Sequence, residues 1–125
     1  MKSLSIALAG AAAFLLAGCG ADADKSVSYQ RDVHPVLAKH CLDCHKHGGP
    51  GVEKSGFSVE SYQALMKGTK FGPVVVPGSS LSSSLYLMVA GKTDPAIRMP
   101  HGKQPLSEAE IALLRHWMDQ GAKDN

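Results

Sequence analysis

The sequence predicts an all-α domain, on three observations. Apolar residues recur at helical spacing in four stretches, strand signals are weak throughout, and one stretch carries a full set of helix start and stop signals. That stretch is "PLSEAEIALLRHWMDQGA". Ser107 and Glu110 have the spacing of a capping box, Leu106 and Ile111 that of a hydrophobic staple, and Gly121 ends the helix. Ile111, Leu114 and Met118 share one face, with Leu113 and Trp117 alongside, so this face needs a partner helix.

The natural partner is "SYQRDVHPVLAKHC", where Val33, Val36 and Leu37 are helically spaced, Pro35 suits a first turn and Asp32 is a candidate cap. "SVESYQALMKG" predicts a short second helix with Ser58 as cap, Tyr62, Leu65 and Met66 on one face, and Gly68 as stop. "GPVVVPG" is extended and broken by prolines, and "SSLYLMVAG" predicts a third helix ending at Gly91. "KHGGPGVEKSGF" and "GKTDPAIRMPHGKQP" are long polar connections. The expected architecture is a small bundle of about four short helices with long loops.

Residues 1–18 stand apart. Lys2 opens an apolar, small-residue run that reaches Cys19, the pattern of an export signal. Its ending "LLAGC" resembles the lipobox of bacterial lipoproteins, which implies cleavage before Cys19 and lipidation of that cysteine. Residues 19–27 are small and polar and read as a lipidated flexible tether; about eight free residues reach about 15 Å. Residues 28–125 then form one domain. Gly20 is not the aspartate that favours inner-membrane retention in enteric bacteria, so the outer membrane is favoured, with the domain facing the periplasm or cell surface.

Composition narrows the function. At 44% hydrophobic and 19% charged the chain is globular, and a net charge of +2 without any basic run gives no support to nucleic acid as a partner. Aromatic residues make up only 6%, so the expected core is short of apolar matter and something else should fill it.

With Cys19 assigned to lipid, Cys41 and Cys44 remain as a pair in "KHCLDCHKHGG". Cys41, Cys44 and His45 form a CxxCH pattern, in which two thiols make thioethers to haem vinyl groups and the adjacent histidine reaches the iron. A haem also supplies apolar bulk. Three rivals stand beside it. A thioredoxin-like pair needs a helix N-terminus after a strand, whereas this one follows a helix. A zinc site would draw on His40 and His47, a crowded local set without a second CxxC. A disulfide across three residues would be strained.

A haem iron needs a sixth ligand. Met66, Met88 and Met118 lie in predicted helices, where methionine ordinarily fills core. Met99, in the loop "IRMPHG", is placed to present a thioether, and His101 is its main competitor. His34, His47 and His116 read as surface or partly packed side chains, and Arg98 as an exposed residue that could meet a haem propionate.

"DVHPVLAKHCLDCH", "GPVVVPGSSLSSSLYLMV", "RMP" and "LSEAEIALLRHWMDQGA", in this order over residues 29–122, resemble the planctomycete-type cytochrome c domain, a branch of the monohaem class I-like c-type cytochromes. The resemblance implies one covalent haem c on Cys41 and Cys44, His45 as proximal ligand and Met99 as distal ligand. It further implies packing of the first helix against the Trp117 helix beside the haem, and residues 74–78 lining the pocket. "KHGGPG" follows His45 directly, a departure that leaves the backbone carbonyl facing its Nδ1 unassigned.

The expected function is a membrane-tethered electron carrier rather than an enzyme, passing single electrons between redox protein partners. The alternatives are a haem-based ligand sensor or peroxidase-like enzyme with a displaceable Met99, and a haem-free thiol or zinc module.

Overall fold

The computed structural model describes residues 25–125. The export signal of residues 1–18, the lipidation at Cys19 and the tether as far as residue 24 lie outside the described residues. Within them are five α-helices: α1 (His34–His40), α2 (Pro50–Ser55), α3 (Tyr62–Lys67), α4 (Ser84–Val89) and α5 (Glu108–Asp119). Among the described residues there is no strand, only an isolated bridge from Thr69 to Gly72. None of these helices is long and apolar enough to cross a membrane.

The helix leading into the cysteines begins earlier than Pro35 suggests. A π-helical turn, Tyr29–Val33, precedes α1, and its cap is Ser28, whose Oγ accepts from the Arg31 N–H. Asp32 is therefore not the cap. Its carboxylate instead accepts from the Ser28 N–H at 2.9 Å, reaching back from one position later than in a capping box because the wide turn holds an extra residue. The same widening lets Pro35, which cannot donate to the preceding turn, continue the helix.

Two further expectations are corrected. Helix α2 forms inside a segment expected to be a loop. It has no apolar stripe, but Pro50 starts it and Gly56, at φ 75°, ends it. Helix α3 is capped by Ser61, not Ser58, with the Ser61 Oγ accepting from Ala64 N–H at 3.1 Å. Ser58 is three residues further back and turns its hydroxyl to Glu60.

Helices α1 and α5 run antiparallel. At one end Glu110 Oε1 meets Lys39 Nζ at 2.9 Å and His40 Nε2 at 3.0 Å. At the other, the Val27 N–H donates to Gln120 Oε1 and the Tyr29 N–H to Asn125 Oδ1. Between these ends Trp117, 1% exposed, lies 5.7 Å from the Tyr29 ring and 6.5 Å from that of Tyr62. Trp117 Nε1–H donates to the Lys123 carbonyl at 3.0 Å, and the hydroxyl of the partly buried Tyr62 to the Ala122 carbonyl at 2.8 Å, so these two rings have their polar tips satisfied, while the buried Tyr29 hydroxyl has no partner among the described residues. The capping box of α5 is complete, and Gly121 turns the chain at φ 102°.

The core is fuller than composition implies. Val33, Val36, Val59, Val74, Val75 and Val89 are buried with Leu37, Leu65, Leu114 and Met118, so β-branched side chains supply much of what few aromatic residues leave short.

Candidate haem site

The cysteine motif forms at the frayed end of α1. The Cys41 N–H still bonds to the Leu37 carbonyl at 2.8 Å, and the Cys44 and His45 N–H groups both turn back to the carbonyl of Cys41, at 3.2 and 2.9 Å. That tight turn puts two half-buried thiols and an imidazole within five residues of chain. The cysteines are not bonded to each other. Burial pushes the Cys41 thiol up to about 11, with Lys103 acting in the opposite sense, so at neutral pH it is protonated rather than a ready thiolate. Among the described residues no group of three or more His, Cys, Asp or Glu is arranged to hold a metal ion. The protonated, half-buried Cys41 thiol weighs against a redox pair.

His45 is oriented by backbone. Its Nδ1 lies 3.0 Å from the carbonyl of Phe57, which can only accept, so Nδ1 carries the proton and Nε2 keeps its lone pair. The Phe57 ring stands edge-on at 5.1 Å, and the Val59 N–H returns to the His45 carbonyl at 2.9 Å. Phe57 therefore supplies the accepting backbone carbonyl that the sequence left unassigned.

The glycines after His45 explain how Phe57 gets there. A Cβ on Gly51 would lie 2.7 Å from both Cε1 and Nδ1 of His45, and one on Gly49 would lie 2.5 Å from the Cys44 oxygen. Only a chain without side chains at these points can fold α2 over the imidazole. The repeated glycine in "GGPG" is the sequence signal for such a close approach.

Met99 is half-buried at the edge of the core, its N–H directed to the Met88 carbonyl at 3.4 Å, and the Met99–Pro100 peptide is cis. It lines a cavity of about 250 Å³ together with Pro95, Arg98, Pro100, His101, Gly102, Lys103 and Pro105. The structure thus brings Met99 and its competitor His101 to one opening, and Cys41, Cys44 and His45 do not line it. The two halves meet through Lys103, whose Nζ lies 2.9 Å from Asp43 Oδ2, inside the CxxCH motif. The hydrogen bond between them, and then each partner's charge, favours the ionised forms, raising Lys103 and lowering Asp43. Neither residue was singled out by sequence reasoning.

The other residues fall as follows. His40 is engaged by Glu110, while His47 and His101 are exposed. His34 stands edge-on to Tyr29 at 5.8 Å. The Arg98 guanidinium lies over Gly91, where a Cβ would be 3.2 Å from Cζ. Val74 and Val75 are buried in the core, and none of residues 74–78 lines the Met99 cavity.

Residues 41–102 match the family described as planctomycete cytochrome C. The chain carries a planctomycete-type cytochrome c domain. No curated protein and no solved structure matches it significantly. The cytochrome c domain is a haem-binding electron-carrier unit, and the family implies covalently bound haem. The residues present fit that group: two unbonded thiols in one tight turn, an adjacent imidazole with Nε2 free of its backbone partner, and a thioether in a loop.

Proposed function

We propose that the protein is a monohaem electron carrier in which Cys41 and Cys44 bind haem c covalently, His45 Nε2 is the proximal iron ligand and Met99 Sδ the distal one. The observation that carries this reading is the 3.0 Å contact from His45 Nδ1 to the Phe57 carbonyl, which fixes the tautomer and ring angle of a ligating imidazole. Haem, when bound, supplies reversible one-electron chemistry at its iron. The chain's part is to hold two axial ligands in place: Phe57 and Gly51 fix His45, while the Lys103–Asp43 pair ties the Met99 loop to the cysteine segment and the Met88 carbonyl ties it to α4. A soft sulfur opposite imidazole favours the reduced state, which suits an acceptor of single electrons.

In this reading Cys19 is lipidated and tethers the domain to a membrane, with the outer membrane favoured, and donor and acceptor are other redox proteins. Absorbance spectra of the oxidised and reduced protein test the ligand set. Met99→Ala removes the sulfur-ligand signature of the oxidised form, and an unchanged spectrum refutes Met99.

The cavity beside Met99 favours a second reading, in which a small ligand displaces the thioether and the protein acts as a sensor or peroxidase-like enzyme. Rapid carbon monoxide binding by the wild-type reduced form is its signature; carrier function predicts slow or no binding.

A further inference from the structure

Phe71 is the most exposed large apolar side chain among the described residues, at 88%. It stands at the tip of a braced turn. The Thr69 N–H donates to the Gly72 carbonyl at 2.8 Å, the Gly72 N–H returns to the Thr69 carbonyl at 3.1 Å, and the Phe71 N–H donates to Thr69 Oγ1 at 3.0 Å. The turn is fastened to α2, since the Lys70 N–H donates to the Ser55 carbonyl at 2.9 Å and Ser55 Oγ to the Gly51 carbonyl at 2.6 Å. Gly51 in turn lies against the His45 imidazole. Lys70 Nζ is 5.2 Å from the Phe71 ring centroid, so the tip joins an apolar ring to a cation.

Charge around the tip is one-sided. Lys67 at the end of α3, Lys70 in the turn and Lys54 on α2 beside Ser55 are exposed, and none of the three forms an ion pair among the described residues. Residues 61–93 hold no acidic side chain. The acids nearest in sequence are Glu53, exposed on α2, and Glu60, which accepts from the His47 N–H at 2.9 Å and the Ser58 hydroxyl at 3.1 Å.

The chain enters the domain near the start of the helix that leads to this tip. The Lys25 carbonyl accepts from Gln120 Nε2 at 3.1 Å, and just beyond Gln120 the Ala122 carbonyl accepts from the hydroxyl of Tyr62, the first residue of α3. One short helix and an extended run place Phe71 at most about 22 Å from Tyr62. From Cys19 to Lys25 the chain reaches at most about 20 Å. A lipid on Cys19 therefore keeps the domain at the bilayer but leaves its orientation free.

We propose that the Lys67–Phe71 tip docks on the anionic phospholipid surface to which Cys19 tethers the chain, and so fixes which face of the domain meets the membrane. The inference rests on the lipid-tether reading above and adds a second contact to it. The ring enters the headgroup boundary with its lysines beside phosphate oxygens, an aromatic and basic pairing suited to that boundary. Each lysine near an anionic surface is worth about fivefold in binding, which is little for a free protein and enough for one already held at the surface. Docked in this way, the domain turns α2, which covers His45, toward the lipid.

The test uses the haem-loaded mature protein in the reduced state, labelled with 4-fluorophenylalanine and placed on nanodiscs doped with a nitroxide lipid. Of the three phenylalanines, Phe14 belongs to the export signal, which leaves the buried Phe57 as internal reference for Phe71. On discs of phosphatidylcholine mixed with phosphatidylglycerol the Phe71 fluorine resonance is expected to broaden well beyond that of Phe57, and on phosphatidylcholine alone this excess should disappear. Lys67→Gln/Lys70→Gln should lower the ratio of docked to undocked protein at least about tenfold. Lys92→Gln, the same loss of charge at an exposed position beyond α4, should leave it unchanged. Equal broadening of Phe71 and Phe57 on the anionic discs, an excess as large on phosphatidylcholine alone, or a double variant that docks like wild type overturns the proposal. So does a Phe71 resonance that responds only when several copies share one disc, which marks a second copy as the occupant. A mature chain whose mass shows no lipid on Cys19 overturns the tether reading instead, which is a different result, and the Phe71 signal on added discs then still decides the docking.

Discussion

The Nδ1 of His45 and the carbonyl oxygen of Phe57 are 3.0 Å apart, although twelve residues of chain separate them. The two glycines that let α2 cross the imidazole make this contact possible, and it leaves Nε2 as the nitrogen available to iron.

Gly51→Ala tests that crossing. The added methyl would sit 2.7 Å from the imidazole against backbone that cannot yield easily, so either the ring rotates or α2 lifts. The expected loss of stability is about 1–3 kcal/mol, accompanied by a shifted reduction potential. Thermal melting and redox titration measure the two. Wild-type values for both would mean that α2 does not constrain His45.

Lys103→Ala removes the ion pair that joins the Met99 loop to the cysteine segment. Both partners are largely exposed, so global stability should change little. Residues 99–105 should instead exchange amide hydrogens faster, and Asp43→Asn should reproduce the effect. Unaltered exchange in both variants would show that the pair does not hold the loop.

Glu110 produces an acid limb in stability. Hydrogen bonds from His40, Ser107 and Lys39 hold its carboxyl well below the ordinary carboxylate value of 4.5. A folded pKa lowered in this way contributes stability that is complete above the unfolded value and is lost as pH falls below it. Glu110→Gln keeps a side chain able to complete the capping box but removes the charge. Its melting temperature should fall below wild type at pH 7, and the gap should narrow as pH drops below about 4.5. A gap that is constant with pH would locate the stabilisation elsewhere.

Trp117→Ala tests the junction of the first and last helices. The ring is fully buried between Tyr29 and Tyr62 and its N–H is bonded, so truncation should cost about 3–5 kcal/mol in chemical denaturation. A loss below about 1 kcal/mol would mean the cavity collapses and the aromatic cluster is not the hinge of the fold.

What could be read from the sequence was local. The Ser107–Glu110 box, the stop at Gly121 and the CxxCH spacing each involve residues within one or two turns of each other, and the structure reproduces the box and the stop. The first helix starts at Ser28, four residues before the Asp32 that the sequence suggests as cap, and the π turn sets the acid one position later than in a capping box, which helical periodicity does not show. Helix α2 was missed because a six-residue helix without an apolar face has only its proline and glycine to announce it. Phe57, Lys103 and Asp43 could not be read from the sequence at all. Their parts in the site come from a backbone carbonyl and from a pair sixty residues apart, and neither leaves a pattern in residue types.

The central claim is that Cys41 and Cys44 carry haem covalently. The most direct measurement is the mass of the denatured protein produced in a host with cytochrome c maturation, alongside Cys41→Ala/Cys44→Ala. The account predicts a wild-type polypeptide that retains the mass of one haem after denaturation, and a double variant that retains none. A wild-type chain with the bare polypeptide mass would contradict it.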